Sequence, residues 1–274
     1  MYPSFILPGS GITISLHDVA LALAVFVCFA IGPPWAQSLE GIDARTTRRV
    51  LLWLGLLTFA GGRLHFVAAN WHLFTDRPLA ALKLWSGLHA PGAIALLALG
   101  AMPILRWYRL PIGKALDGLV PTMGVGIATA RVGCFLHGCC FGAVCDWPWC
   151  VTFPGGSYIH LLHRQEGFVS QVAERSAPIH PLQLYFAGSA LLITVAALWL
   201  HRRKRYDGQI ALVSLVLFSA SAAALEILRA PDTTRVYWGP LPQLAWATLI
   251  LTAISLACLG VAENLHRRLA KRTS

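Results

Sequence analysis

The sequence is poor in charged residues. Asp, Glu, Lys and Arg make up only 12% of its 274 residues, whereas a soluble domain carries roughly 25%. No Lys or Arg precedes the first apolar run, so the basic start of a cleaved signal peptide is missing and we expect that run to be retained as a helix. There is no internal repeat of the kind that many transporters carry, which disfavours that class.

Apolar residues are abundant instead and are arranged in long blocks. Hydrophobic residues account for 56% of the chain and the mean hydropathy is +0.61. Blocks of about 20 such residues are long enough to cross a bilayer. The sequence therefore predicts an all-α integral membrane protein, one membrane domain over 1–274, with seven transmembrane helices and a long outward-facing loop, 138–180, between helices 4 and 5. The predicted spans are 15–36, 50–70, 82–105, 116–137, 181–200, 209–229 and 241–262.

Most of the 22 basic residues lie in the connections that follow the first, third, fifth and seventh spans. With seven spans, all four connections fall on one side, and the positive-inside rule makes that side cytoplasmic. The chain is thus predicted to be a multi-pass protein with its N-terminus in the periplasm and its C-terminus in the cytoplasm. The net charge of +10 is then a signal of topology, so the lipid bilayer is the expected partner and nucleic acid is not.

Three arginines, Arg63, Arg131 and Arg229, fall inside the predicted spans near their outward ends. A charge at membrane depth costs on the order of 3 kcal/mol, so such residues normally face a polar cavity. Because the guanidinium fork matches phosphate geometry, this cluster favours a phospholipid headgroup as ligand. The alternative is local pairing or snorkelling, for example of Arg229 with Glu226.

Several motifs extend over essentially the whole chain: Ser15-Leu16-His17, Gly61-Gly62-Arg63, Gly87-Leu88-His89, Arg131-Val132-Gly133, Phe153-Pro154-Gly155, His180-Pro181 with Gln183-Leu184-Tyr185, Glu226 and Arg229 with Pro231-Asp232, and Gln243. In their order they resemble the motifs of the prolipoprotein diacylglyceryl transferase family of bacterial inner membranes. The resemblance implies transfer of a diacylglyceryl group from phosphatidylglycerol to the lipobox cysteine of a lipoprotein precursor. It implies neither a metal nor an organic cofactor.

The resemblance also implies roles for individual residues. Arg131 and Arg229 would hold the phosphate, and His89 would take the proton of the acceptor thiol. The predicted catalytic residues are His89, Arg131, His137, Cys139 and Arg229. The predicted substrate-binding residues are Arg63, Gly133, Cys134, Gly138, Gly142, His180, Tyr185 and Glu226.

The chain departs from the family at the centre of its signature. Where the family reads Gly-Arg-x-Gly-Asn-Phe-x-Asn-Gly-Glu-x-x-Gly, this sequence has Ala130, Cys134, His137 and Cys139. It is therefore a divergent, cysteine-rich member. Either His137 or another group replaces the lost carboxylate, or the chain is a paralogue that binds phospholipid without the standard transfer and uses its periplasmic cysteines in a structural or redox role.

Five cysteines lie within 17 residues of this region. Three interpretations stay open: structural disulfides, a zinc site that includes His137, and an active thiol at Cys139 or Cys140. The pairing of cysteines cannot be read from their spacing. The five are Cys134, Cys139, Cys140, Cys145 and Cys150.

Overall fold

Helices form most of the chain. The computed structural model describes residues 4–6, 13–75, 78–82, 87–230, 237–238 and 241–273. Its helices are α1 (Leu16–Glu40), α2 (Ala44–Ala69), α3 (Ala90–Trp107), α4 (Ile112–His137), α5 (Tyr158–Gln165), α6 (Leu182–His201), α7 (Gln209–Glu226) and α8 (Gln243–Thr273). Two short antiparallel ribbons pair β1 (Ser4–Ile6) with β2 (Thr13–Ser15), and β3 (Tyr237–Trp238) with β4 (Leu241–Pro242).

Seven helices in the described part of the chain, all except α5, are long and apolar enough to cross a membrane. This confirms the predicted all-α class and the number of spans. The apolar stretches of these helices have mean hydropathies between 1.4 and 2.1. The eight-residue α5 lies in the segment between α4 and α6, which was predicted as a long loop.

Some helix ends differ from the predicted spans. The third was predicted over 82–105, but α3 begins at Ala90 because Pro91 favours the first turn of a helix, and residues 78–82 form a separate 3-10 turn. His89 thus precedes the helix instead of lying inside it. The sixth span was predicted to reach 229, but α7 ends at Glu226, so Arg229 lies in the turn that follows. The last helix continues to Thr273, beyond the predicted end at 262.

Local capping residues explain where two other helices begin. The Asp43 carboxylate accepts a hydrogen bond of 2.9 Å from the backbone N–H of Thr46 at the start of α2. That bond is the main reason why the pKa of Asp43 is lowered. The Ser157 hydroxyl caps α5 in the same way by accepting from the backbone N–H of His160.

The chain forms two compact units, one of residues 29–119 and the other of residues 1–28 with 120–274. In the 29–119 unit, α2 packs on α3 through Gly61 and Gly92, which approach so closely that a methyl group on either would overlap the backbone of the other. Such small-residue contacts let helices approach each other in membranes. A buried cluster fills this unit at Ala36, Ile42, Val50, Leu105, Ala115 and Leu119.

The other unit contains α6, α7 and α8 together with the C-terminal part of α4. Ala128, Ala187 and Ala190 are buried together, with Phe218 packed against them. A second cluster lies within the segment between α4 and α6, where Phe153, Ile159 and Ile179 are almost completely inaccessible to solvent. This small core holds the segment in a defined conformation.

Candidate active site

The signature segment, residues 130–142, begins in the last two turns of α4 and continues into the chain that follows it. Gly138 adopts a left-handed conformation with φ of 79°, and its backbone N–H donates to the carbonyl of Cys134 at 2.9 Å. The next N–H, of Cys139, reaches the same carbonyl at 3.1 Å. A left-handed glycine is a common way to end a helix. The turn at Gly138 brings Cys139 back beside Cys134.

Gly142 lies between two other chain segments of the same unit. Its N–H donates to the carbonyl of His180 at 3.1 Å, and the neighbouring N–H of Ala143 donates to the carbonyl of Leu228 at 2.8 Å. A Cβ at position 142 would lie 2.5 Å from the Cβ of His180 and 2.8 Å from the carbonyl oxygens of His180 and Leu228. Glycine is therefore required here, and it brings the turn that carries Arg229 beside the signature segment.

Arg131 and Arg229 converge on one aromatic ring. The guanidinium carbon of Arg131 lies 4.6 Å from the centroid of Phe186, and that of Arg229 lies 5.7 Å from the same centroid. Nε of Arg229 donates to Glu226 at 2.8 Å. This local pair was the alternative that the sequence left open for Arg229, and the structure confirms the pair. The shared contact with Phe186 also brings the guanidinium cations of Arg131 and Arg229 together.

Three cysteines of the signature segment are close enough to form hydrogen bonds with one another. Cys134, Cys139 and Cys140 are all free, and Cys140 is exposed. Hydrogen bonds from Cys134 and Cys139 lower the pKa of the Cys140 thiol, partial desolvation of its sulfur opposes the shift, and the charges of Arg131 and Arg229 add to it. Hydrogen bonds with Cys134 and Cys140, together with burial, raise the pKa of Cys139. The Cys140 thiol is thus more acidic than an ordinary thiol, and the Cys139 thiol is less acidic.

Two histidines border the thiols. The rings of His17, at the start of α1, and His137, at the end of α4, have centroids 5.3 Å apart. One nitrogen of His17 lies within 4.8 Å of the sulfurs of both Cys134 and Cys139. The zinc hypothesis drawn from the sequence had named His137 as the histidine ligand, whereas among the described residues the one that meets these two thiols is His17.

A single disulfide joins the other two cysteines of this region, Cys145 and Cys150. This confirms the hypothesis of structural disulfides for that pair. Since the described structure leaves Cys139 and Cys140 unbonded, their thiols remain available for chemistry.

Helix α6 contacts the signature segment through Gln183. The side-chain N–H of Gln183 donates to the carbonyl of Cys139 at 2.7 Å, and Gln183 is completely buried. Nδ1 of His180 lies 3.3 Å from the hydroxyl of Tyr185. The predicted site residues Gly133, Cys134, Gly138, Gly142, His180, Tyr185 and Glu226 therefore all belong to the same unit as Arg131 and Arg229.

Arg63 and His89 belong to the 29–119 unit. The buried guanidinium of Arg63 donates to three carbonyls, those of Ala80 at 3.1 Å, Ala81 at 2.9 Å and Gly87 at 3.1 Å. These bonds hold the chain between α2 and α3 and give Arg63 a structural role. Its predicted role in substrate binding stays a prediction.

His89 is half-buried and pairs with a second histidine, His65 of α2. Their Nδ1 atoms are 3.2 Å apart, so one of them must carry the proton and donate to the other. The backbone N–H of His89 donates to the carbonyl of Gly62 at 3.0 Å. The Gly61-Gly62-Arg63 and Gly87-Leu88-His89 motifs are thus joined within this unit.

Three residues gained importance only from the structure. Phe186 had no sequence signal that separated it from the other aromatic residues of the spans. His65 lies two residues after Arg63, outside the motif. His17 was part of a motif without a predicted role, and its position beside the thiols depends on how α1 packs against α4 at Gly133.

The fold and the site together define a polytopic helical membrane protein in which two arginines meet beside a thiol cluster. The family model for prolipoprotein diacylglyceryl transferase matches residues 5–261. The chain therefore belongs to the prolipoprotein diacylglyceryl transferase family, as the motifs had predicted.

Individual relatives are similar in sequence to this chain over most of their length. A protein of Parasynechococcus marenigrum is 28% identical over 225 residues, which cover 80% of this chain and 77% of the relative. One of Thermosynechococcus vestitus is 26% identical over 262 residues, or 93% and 92% of the two chains. One of Pseudomonas aeruginosa is 26% identical over 245 residues, or 82% and 84%. All three are named phosphatidylglycerol–prolipoprotein diacylglyceryl transferase.

Proposed function

We propose that this chain transfers the diacylglyceryl group of phosphatidylglycerol to a cysteine thiol of a lipoprotein precursor. The family and the names of the relatives support this reaction. The observation that carries it is the convergence of Arg131 and Arg229 on Phe186. Two guanidiniums on one ring offer several N–H donors to one phosphate, whose negative charge offsets their mutual repulsion.

The reaction exchanges a C–O bond for a C–S bond. The acceptor thiol loses its proton, and the thiolate attacks the glyceryl carbon that bears the phosphate. The C–O bond breaks, and its electron pair leaves on glycerol phosphate. Negative charge grows on the leaving phosphate, so Arg131 and Arg229 would stabilise the transition state more than the bound lipid, which is the requirement for catalysis.

Two imidazoles are proposed for the proton of the acceptor thiol. His89 is proposed from its motif, and its contact with His65 would fix the tautomer that it presents. His137 is proposed because it stands in the signature beside the cysteine that replaces the family glutamate. Substitution of each histidine by glutamine separates the two roles, because only the true base should lose most of its transfer rate.

The remaining site residues are proposed to shape the substrate pocket. Gly138 adopts a left-handed conformation that a side chain disfavours, and Gly142 lies where there is no room for a Cβ. His180 and Tyr185 form a hydrogen-bonded pair next to this backbone, and they would offer polar contacts to the glycerol headgroup. Gly133 and Cys134 lie on the last turns of α4, and Glu226 would keep Arg229 in position.

We place the protein in the bacterial inner membrane with the N-terminus and the α4–α6 segment in the periplasm and the C-terminus in the cytoplasm. The basic connections support this orientation. The Cys145–Cys150 disulfide supports it independently, because disulfides persist in the periplasm and are rare in the cytoplasm. A reporter fused after Ser274 that proved periplasmic would contradict the assignment.

A direct assay tests the function. The full chain in detergent should convert a lipobox peptide to its diacylglyceryl thioether in the presence of phosphatidylglycerol, as measured by mass spectrometry. Arg131→Ala and Arg229→Ala should abolish the product. Arg175→Ala, an exposed arginine that bonds to Thr152 in the α4–α6 segment, is the matched control and should retain it.

Complementation of a strain depleted of its own transferase is the second test. Growth with the parent chain and not with Arg131→Ala supports the proposal. If the folded parent chain gives neither growth nor product but still binds phosphatidylglycerol vesicles, the alternative of a lipid-binding paralogue without transfer replaces it.

A further inference from the structure

Three soft metal ligands from separate positions in the sequence meet beside the paired arginines. One nitrogen of His17 and the sulfurs of Cys134 and Cys139 all lie within 4.8 Å of one another. His17 comes from the first turn of α1, Cys134 from the last turn of α4, and Cys139 from the turn after it. No carboxylate belongs to this group.

The surrounding backbone holds the three ligands together. Gly133 lets α1 approach α4, because a Cβ there would lie 2.5 Å from the Cβ of Ala20. The turn at Gly138 brings the sulfur of Cys139 to 3.7 Å from the carbonyl of Cys134. Gln183 fixes that turn through its bond to Cys139. Packing at Gly133 and the hydrogen bond of Gln183 therefore hold this arrangement without using the three ligand atoms.

The distances suit a tetrahedral ion. With Zn–S of about 2.3 Å and Zn–N of about 2.0–2.1 Å, ligand atoms in such a site are roughly 3.4–3.8 Å apart. Movements of about an ångström bring the three atoms to these separations. Thiolate and imidazole ligands favour zinc over the hard cations Mg²⁺ and Ca²⁺.

His17 also has an atom that needs a partner. Its Nδ1 is buried and, among the residues that the structure describes, has no hydrogen-bond partner. A buried polar atom without a partner costs free energy, which a metal bond or a proton donor would recover. The second group with metal-binding spacing, Cys145, Cys150 and His180, offers no comparable site because its two sulfurs are joined to each other.

We propose that His17, Cys134 and Cys139 bind one thiophilic divalent metal ion of the Zn²⁺ class. The resemblance to the family had implied no metal, so this site would belong to the cysteine-rich departure from the signature. Binding releases the protons of both thiols to solvent.

Three protein ligands leave a fourth coordination position, as in catalytic zinc sites. We place the acceptor cysteine there, a role that rests on the proposed transfer reaction. A thiol bound to the ion is deprotonated at neutral pH, and its proton would pass to the histidine proposed above as the base. The ion would thereby supply the nucleophile on this side of the reaction while Arg131 and Arg229 receive the leaving phosphate. The binding of the ion does not depend on that role.

Metal content is the primary test. The full chain, purified in detergent under reducing conditions and incubated with Zn²⁺, should retain about one ion per chain after desalting. His17→Ala, Cys134→Ser and Cys139→Ser should each weaken binding by about 100-fold or more. Cys28→Ser and Cys258→Ser, which remove free cysteines of α1 and α8 outside the proposed site, should leave it unchanged.

Two further readouts guard against variants that fail to fold. Co²⁺ should give thiolate charge-transfer and tetrahedral absorption bands with the parent chain only. Zn²⁺ should protect Cys134 and Cys139 of the parent from alkylation, as measured by peptide mass spectrometry. A folded, reduced parent chain that holds no more Zn²⁺ than the Cys134→Ser/Cys139→Ser double variant would overturn the proposal. Since none of these readouts uses transfer activity, the metal site and the proposed reaction can fail separately.

Discussion

Glu226 and Arg229 form an ion pair of 2.8 Å in which the two side chains are only 3% and 8% exposed. Glu226 is the last residue of α7, and Arg229 lies in the turn after it. The carboxylate binds Nε of Arg229 and so fixes one end of its guanidinium, which also lies on the ring of Phe186. The other N–H groups are left for a ligand. The pair thus connects the end of a membrane helix to the candidate active site.

Loss of this carboxylate should affect both stability and activity. Breaking a buried ion pair on one side costs about 3–5 kcal/mol, so we expect Glu226→Gln to lower the unfolding midpoint and to reduce transfer at least tenfold. The control is Asp207→Asn in the Lys204–Asp207 pair, where Asp207 is 47% exposed. Exposed pairs contribute about 1 kcal/mol or less. Equal effects of the two substitutions would contradict a special role for Glu226.

The ring of Phe186 should matter through its π face. Cation–π contacts contribute about 0.5–2 kcal/mol each, and Phe186 makes two. Phe186→Leu keeps an apolar side chain but removes both contacts, so we expect transfer to fall roughly tenfold or more with little loss of folding. Phe218→Leu, a partly buried phenylalanine that packs on the alanine cluster, should change transfer much less. Rates measured against phosphatidylglycerol concentration would check this.

Gly142 should not tolerate even a methyl group. The added Cβ would meet backbone oxygens at 2.8 Å on two sides, and neither carbonyl can move without breaking the bonds that hold Arg229. We expect Gly142→Ala to cost about 1–3 kcal/mol of stability, as overpacking usually does. A methyl group added at Gly188 of α6 would meet no atom within 4 Å, so Gly188→Ala should be neutral or slightly stabilising. Thermal unfolding in detergent compares the two.

Arg63 provides a test of its structural role against its predicted role in binding. A lysine cannot reproduce three bonds to carbonyls from one planar group, so Arg63→Lys should lower the unfolding midpoint clearly. Arg48→Lys, at an exposed position of the same helix, should shift the free energy of unfolding by less than about 0.5 kcal/mol. If Arg63→Lys unfolds like the parent chain but raises the KM for phosphatidylglycerol, substrate binding is the correct role.

His163 should make the α4–α6 segment sensitive to acid. Burial lowers the pKa of His163 below its ordinary value of 6.5; Glu166 opposes this shift and His160 adds to it. The unfolded chain therefore binds a proton at a higher pH than the folded one. This contribution to stability is complete above about pH 6.5 and is lost as the pH falls through the folded pKa.

Unfolding midpoints in detergent at about pH 7.5 and about pH 5.5 would measure this effect, because histidine titrates in that range. His163→Phe keeps an aromatic ring but cannot take up a proton, so the midpoint should depend less on pH. His72→Phe at an exposed position should leave the slope as in the parent chain. A parent slope that His163→Phe does not change would assign the acid sensitivity to other groups.

The number of membrane helices was predictable because it depends on hydropathy over windows of about 20 residues, a signal that local sequence carries. The start of α3 was not, since residues 82–89 are apolar enough to extend a span. Pro91, which favours the first turn of a helix, is the sequence signal that marks the observed start.

The site was predictable to the extent that motifs marked it. Arg131, Arg229 and Glu226 were all found from their placement and order. Phe186, His65 and the approach of His17 to the thiols depend on contacts between elements distant in the sequence. The pairing of Cys145 with Cys150 was one of several that the spacing allowed.

Cys140 adopts φ of 58°, a left-handed conformation that costs a residue with a side chain on the order of 1 kcal/mol and costs glycine almost nothing. A glycine at this position would therefore suit the backbone better than the cysteine that the chain carries. The segment is therefore less stable with Cys140 than it would be with glycine, but the cysteine provides a thiol beside two arginines. This is the trade-off between stability and activity that functional sites commonly show.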